Sequence, residues 1–184
     1  MTRSRQTADW GSRAGLAKIV PSSVAVGSGT GSADSLGTVT FSGASSLSLN
    51  NCFSSAYDNY RIIGRIEAPS ASDISVRFRA AGSDNLTASS YKAYRTYNPY
   101  SGPTVANETL TSFYCGYFGA DGGGFVLDVL SPNLAKRTNF NWMGGDANYA
   151  QFGIGIHTVA SSFDGFTIFG PTITGTISVY GYTK

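Results

Sequence analysis

Read by twos, the stretch 172–182 puts Ile173, Gly175, Ile177, Val179 and Gly181 on one side and Thr174, Thr176, Ser178, Tyr180 and Tyr182 on the other. Successive strand side chains point to opposite faces, so this alternation predicts a long half-buried β-strand. Gly170-Pro171 interrupts the chain just ahead, and Phe166 to Phe169 reads as a separate preceding strand. The same period recurs upstream. Val39 and Phe41 alternate with Thr38 and Thr40, and Leu47 and Leu49 with Ser46 and Ser48. Ile62 and Ile66 oppose Arg61, Arg65 and Glu67, while Ile74, Val76 and Phe78 oppose Ser75, Arg77 and Arg79. Phe125, Leu127 and Val129 mark a further strand, and Phe140 with Trp142 another. Phe152, Ile154 and Ile156 face one way, with Gly153, Gly155 and His157 the other. Turn signals separate these runs at Gly82-Ser83-Asp84-Asn85, Asp121-Gly122-Gly123-Gly124 and Gly144-Gly145-Asp146.

The count is about ten strands of roughly 5–9 residues, with no amphipathic helix after residue 34 and no repeat of fixed period. This predicts an all-β fold, an antiparallel β-sandwich of jelly-roll-like form. Residues 86–109 are less regular. Tyr91, Tyr94, Tyr97 and Tyr100 recur every three residues, a period of neither a flat strand nor an α-helix. With Pro99 and Pro103 beside them, they predict a broken strand running into a surface loop. Leu110 to Phe118 reads as one aromatic-rich strand.

The N-terminal part reads differently. Thr7 to Lys18 fits a short helix capped by Thr7, weakened by about 1 kcal/mol at each of Gly11 and Gly15, and expected to order only on a partner. Ser22 to Asp34 contains Gly27-Ser28-Gly29-Thr30-Gly31-Ser32 and reads as a flexible linker. The expected organisation is an extended arm and linker over 1–34 and a head domain over 35–184.

Composition supports the all-β reading. Of 184 residues, enough for one domain with a core, only 13% are charged, well under the ~25% of an average soluble domain, and 23 are glycine. The net charge is +2 but unevenly placed. Residues 1–20 hold Arg3, Arg5, Arg13 and Lys18 against Asp9, giving +3, and the remainder holds nine basic and ten acidic residues, giving −1. The basic arm, with Trp10 as a potential anchor, is therefore the candidate docking element: Arg3, Arg5, Trp10, Arg13 and Lys18. Cys52 and Cys115 make no disulfide framework and read as buried thiols, with a bridge between them left open. No apolar run approaches the ~18 residues of a membrane span, and the N-terminus lacks a signal-peptide core, so neither insertion nor secretion by that route is expected.

Candidate chemistry is sparse. His157 is the sole histidine, and neither Asp164 nor any particular serine is fixed beside it as a triad. One histidine with two distant cysteines does not make a zinc site. Asp121-Gly122-Gly123-Gly124 lacks the Lys-Ser/Thr of a phosphate loop and the acid series of a calcium loop. Asp128 and Asp164 form no evident glycosidase pair. No catalytic, cofactor-binding or metal-ligating residue is expected, and the chain reads as a non-enzyme. Tyr91, Tyr94, Tyr97 and Tyr100 are the candidate recognition residues, able to stack on sugars or anchor a protein, or to pack at a sandwich edge or subunit interface.

The series Phe53 to Ile63, then Ile74-Ser75-Val76-Arg77-Phe78-Arg79, then Asp84-Asn85 and Ala88-Ser89-Ser90-Tyr91, resembles a group of small β-rich virion proteins of tailed bacteriophages. So do Phe125-Val126-Leu127-Asp128-Val129 and the ending Ser162 to Phe166 with Gly175 to Tyr182. The resemblance covers roughly Leu36 to Lys184 and implies a tail-fibre, minor-tail or capsid-decoration component located in the virion. It implies homo-oligomerisation, with a trimer favoured by analogy, and contact with other virion proteins of capsid, collar or tail; whether the head attaches to a host surface glycan or is an inert decoration is left open by the sequence. It carries no catalytic residues. Two alternatives stand beside it: a stand-alone carbohydrate-binding module, and a small jelly-roll coat protein with its arm on nucleic acid. Four basic residues are few for such an arm, and nucleic-acid binding is not expected.

Overall fold

The computed structural model describes residues 15–99, 102 and 104–183. Among them are fourteen strands and no helix: β1 (Leu16–Ile19), β2 (Ser23–Val26), β3 (Thr30–Ala33), β4 (Thr38–Asn50), β5 (Asn59–Glu67), β6 (Ser72–Ala80), β7 (Ser83–Asp84), β8 (Tyr91–Pro99), β9 (Thr104–Leu110), β10 (Phe113–Phe118), β11 (Gly123–Leu130), β12 (Lys136–Gly145), β13 (Tyr149–Ser161) and β14 (Gly165–Tyr182). All pairings are antiparallel, and the fold is an antiparallel β-sandwich.

Strand β14 organises both layers. Its first part, Gly165 to Phe169, pairs with β6, which in turn pairs with β10. Its second part, Thr174 to Gly181, pairs with β5, from which the larger layer continues through β11, β12, β13, β8 and β9. On its other side lies β4, whose two halves follow the two halves of β14 and carry β2 and β3 on their far edge. The register slips between Phe169 and Ile173, where Gly170-Pro171 sits, and Gly43 in β4 adopts a left-handed φ of 64°. A proline that cannot donate to the ladder is accommodated at such an irregularity. Gly170-Pro171 thus bends a single strand rather than separating two, and Val39 to Leu49 is likewise one strand rather than two.

The facing surfaces meet through aromatic side chains. Phe113 of β10 stacks on Phe140 of β12 with ring centroids 4.0 Å apart, and Phe78 of β6 lies 5.7 Å from Phe140. The inward sets read from the alternation are buried as expected on β5, β6, β11, β12 and β14.

On β13 the apolar set, which such alternation would by default turn inward, instead faces solvent. Gln151, Gly153 and His157 are buried, while Phe152 and Ile154 are more than half exposed. The cause is on β12. Trp142 is in register with Gly153, and Phe140 with Gly155. A Cβ at either glycine would lie 2.4 Å from the opposing ring, so the rings occupy the space a side chain would need. The aromatic residues of one strand fill the core above the bare backbone of the next, which fixes the face of every other residue on β13.

Three expectations are corrected. Residues 22–34 are not a free linker: β2 and β3 pair with β4, and Val24, Val26 and Ala33 pack against the core. Their Gly/Ser content serves close approach, since Gly29 has a φ of 71° and a Cβ there would fall 2.1 Å from the Ser42 carbonyl oxygen. Residues 16–18 belong to β1, paired with Tyr180 to Tyr182, and are not helical; 7–14 of the expected helix lie outside the described residues. Tyr91–Pro99 and Thr104–Leu110 are two regular strands paired antiparallel, with Leu110 to Phe118 divided between β9 and β10.

Candidate functional site: the outer face of the large layer

Inverting β13 has a consequence across the whole layer. Strand register places Ile63, Val126, Met143, Phe152, Thr96 and Val105 side by side in one transverse row over six strands. At about 4.8 Å per strand the row is about 24 Å long. Met143, Phe152 and Val105 are 65%, 56% and 53% exposed. The next row, about 7 Å away, runs Arg61, Asp128, Asn141, Ile154, Tyr94 and Asn107, with Ile154 64% exposed. A third places Leu130, Asn139, Ile156, Lys92 and Thr109 together. Between the second and third rows lies a groove of about 640 Å³, lined by Tyr94, Asn107, Asn139, Asn141 and Ile154 among others. A shallower hollow of about 410 Å³ lies beside Ile63, Val126 and Met143.

The face carries little free charge. Arg61 donates through Nε and Nη2 to the two oxygens of Asp128, each at 2.7 Å, and the Tyr182 hydroxyl donates to Asp128 Oδ1 at 3.0 Å. The Arg61 guanidinium, with Tyr182, holds the Asp128 carboxyl below the usual carboxylate range, so Asp128 is an ionised, neutralised group. The face thus combines apolar side chains, amides and one closed ion pair.

The candidate tyrosines divide between the two faces, because a spacing of three alternates sides in a strand of period two. Tyr94 stands on the outer face, 45% exposed. Tyr91 is no surface residue: it is fully buried, its hydroxyl accepting from the Phe78 N–H at 2.8 Å, and burial pushes its phenol up. Tyr97 turns inward at an open end of the sandwich, where Arg95 lies 5.0 Å from its ring centre. Tyr100 lies outside the described residues, as do Arg3, Arg5, Trp10 and Arg13 of the arm. Lys18 is exposed on β1 and donates to Thr38 Oγ1 at 2.5 Å.

His157 sits in the core. Its Nδ1 is 3.1 Å from the Val159 carbonyl and its Nε2 3.2 Å from Asn85 Oδ1, with Tyr91 and Phe163 edge-on at 4.7 and 4.9 Å. Asp164 accepts from the Ala81 N–H at 2.8 Å. Cys52 and Cys115 are buried free thiols. Among the described residues no group of three or more His, Cys, Asp or Glu is placed to hold a metal.

Sequence did not point to Met143 and Val105, and it marked Phe152 and Ile154 only as one face of a strand. The signal was present as Phe140-x-Trp142 and Gly153-x-Gly155, but it acquires meaning only once their register is known.

No family model matches the chain, and no curated protein matches it. Among solved structures, one described as "CBM4 structure and function" shares 10% identity over 91% of this chain and 81% of its own, with a TM-score of 0.26. A Lotus tetragonolobus seed lectin isoform shares 7% identity over 89% and 94%, with a TM-score of 0.18. Likenesses this distant carry no argument.

Proposed function

We propose that the chain is a non-enzymatic structural subunit that buries the outer face of its large layer against further copies of itself. The observation that carries this is the transverse row Ile63, Val126, Met143, Phe152, Thr96 and Val105. With Ile154 and Tyr94 of the next row it makes an apolar stripe about 24 Å long that widens to two rows over β13 and β8, in the size range that marks an interaction surface. Its ion pair is internally closed, so the partner it fits is neutral and apolar, as a second copy of the same face is. The sequence resemblance supports an appendage or decoration role in a phage virion, with three copies turned inward around one axis and the basic arm docking on a neighbouring virion protein.

Each of Met143, Phe152 and Ile154 is over half exposed, and its burial contributes about 1–2 kcal/mol. The test is the solution mass, by light scattering, of the full chain and of a Phe152→Asp/Ile154→Asp double variant. The wild type is expected to be a trimer. The variant is expected to dissociate, with its self-affinity weakened at least about a hundredfold and its circular dichroism unchanged. A monomeric wild type, or a variant that stays assembled, refutes the reading. A companion truncation must begin at Gly15, because a cut at Asp34 deletes β1, β2 and β3.

A further inference from the structure

At one open end of the sandwich the two layers gape over a polar and aromatic pocket of about 210 Å³, lined by Asp73, Arg95, Tyr97, Tyr117, Tyr149 and Gln151. Asp73 and Tyr117 come from the smaller layer and are in register with each other. Arg95, Tyr97, Tyr149 and Gln151 come from β8 and β13 of the larger. We propose that this pocket binds a single neutral pyranose ring, as the terminal residue of a glycan.

The size comes first. Ligand clefts for drug-sized molecules run about 300–1,000 Å³, so this one takes a single small ring rather than an extended chain. The chemistry is that of a polyol with one apolar face. Tyr117 and Tyr149, ring centres 4.3 Å apart, and Tyr97 are half-buried and offer aromatic carbon to ring C–H groups, with hydroxyls at their rims. Sugar hydroxyls both donate and accept, and the pocket holds both kinds of partner. Asp73 supplies carboxylate oxygen, and Arg95 supplies guanidinium N–H.

The floor is already organised. Asp73 Oδ1 accepts from Arg95 Nη1 at 3.0 Å and from Gln151 Nε2 at 2.9 Å. Arg95 is further held by Glu108, with Nε 2.6 Å from Oε1, and by the ring of Tyr114 at 4.3 Å. Gln151 is 2% exposed, and its Oε1 is buried with no hydrogen-bond partner among the described residues. A buried acceptor left open is costly, and a small turn of the Gln151 amide toward the pocket would let a sugar hydroxyl donate to it. The charges select against other ligands. Asp73 lines the pocket beside Arg95, and Glu108 holds Arg95 from behind, so the guanidinium is already paired and offers no free positive charge to an anion. The Arg95 guanidinium in the pocket repels a quaternary ammonium.

The experiment is saturation-transfer NMR on the full-length chain with the methyl glycosides of glucose, galactose, mannose and N-acetylglucosamine, and with choline as the cationic comparator. At least one glycoside is expected to saturate with a dissociation constant on the order of 1 mM. Tyr149→Ala and Gln151→Leu should each weaken it about tenfold, while the milder Tyr97→Phe, which keeps the ring, weakens it less. Phe152→Asp, on the outer face, should leave it unchanged, so failure here is separable from failure of the assembly reading. No saturable glycoside, sugar binding indifferent to the Tyr149 and Gln151 variants, or binding of choline alone each overturns the proposal.

Discussion

Adding one methyl group at residue 155 tests the arrangement that turns β13 over. A Cβ on Gly155 would sit 2.4 and 2.5 Å from two ring carbons of Phe140 and 2.8 Å from the Lys92 carbonyl oxygen. Carbon pairs rest at about 3.5–4.0 Å, so the ring must retreat by about 1 Å. It has nowhere to go, being 2% exposed, stacked on Phe113 at 4.0 Å and met edge-on by Phe78. The Lys92 carbonyl is backbone and equally fixed. Overpacking of this kind costs about 1–3 kcal/mol, and the reduced freedom of the unfolded chain returns about 0.4–1 kcal/mol. Gly155→Ala is therefore expected to lose about 1–2 kcal/mol, which for a chain of this size lowers Tm by about 2–8 °C.

The control is Gly124→Ala on β11, where the nearest atom to a new Cβ is the Gly64 carbonyl oxygen at an ordinary 3.8 Å. That variant should be neutral or stabilised by up to about 1 kcal/mol. Urea unfolding of both, with Phe140→Leu and the Phe140→Leu/Gly155→Ala double variant completing a cycle, reads the contact directly. The smaller side chain should recover more than about 0.5 kcal/mol of the Gly155→Ala loss. If Gly155→Ala behaves like Gly124→Ala, or the cycle shows no coupling, the rings do not occupy the glycine floor and the outward apolar face loses its structural cause.

Two further outcomes follow from buried groups. Burial, opposed by the Val159 carbonyl, lowers the His157 imidazole below its ordinary value of 6.5. The unfolded chain then takes up the proton first as pH falls, so stability should be lost progressively below about pH 6.5 in urea titrations, and His157→Phe should remove that part of the slope. Cys52 and Cys115 are buried free thiols whose burial pushes their ionisation up, so a thiol reagent should label neither until the chain unfolds; prompt labelling of the native protein contradicts their placement.

What was legible in the chain was local, and what was hidden depended on pairing. The alternation on β5, β6, β11, β12 and β14 could be read at sight because each strand carries its own large apolar row, and the burial of Ile62, Val76, Leu127, Trp142 and Val179 follows from it. Gly170-Pro171 was legible as an irregularity but not as a bend, since only the partners β6 and β5 reveal that the chain crosses from one layer to the other there. The Gly/Ser composition of 22–34 pointed to freedom, whereas an edge strand with Val24 and Val26 turned to the core needs few large residues to stay paired. On β13 the sequence pattern and the packing disagree outright, and packing decides, because a tryptophan and a phenylalanine on β12 fill the core over two glycines and leave no room for Phe152 and Ile154 inside. The same logic hid the pocket at the open end: Asp73, Arg95, Tyr117 and Gln151 lie on four strands that no sequence period connects, and their meeting is a product of register alone. A chain this poor in charge cannot advertise its working surfaces by clusters of like residues. The two surfaces we propose, the apolar row and the polar pocket, each gather single residues from distant strands into one place.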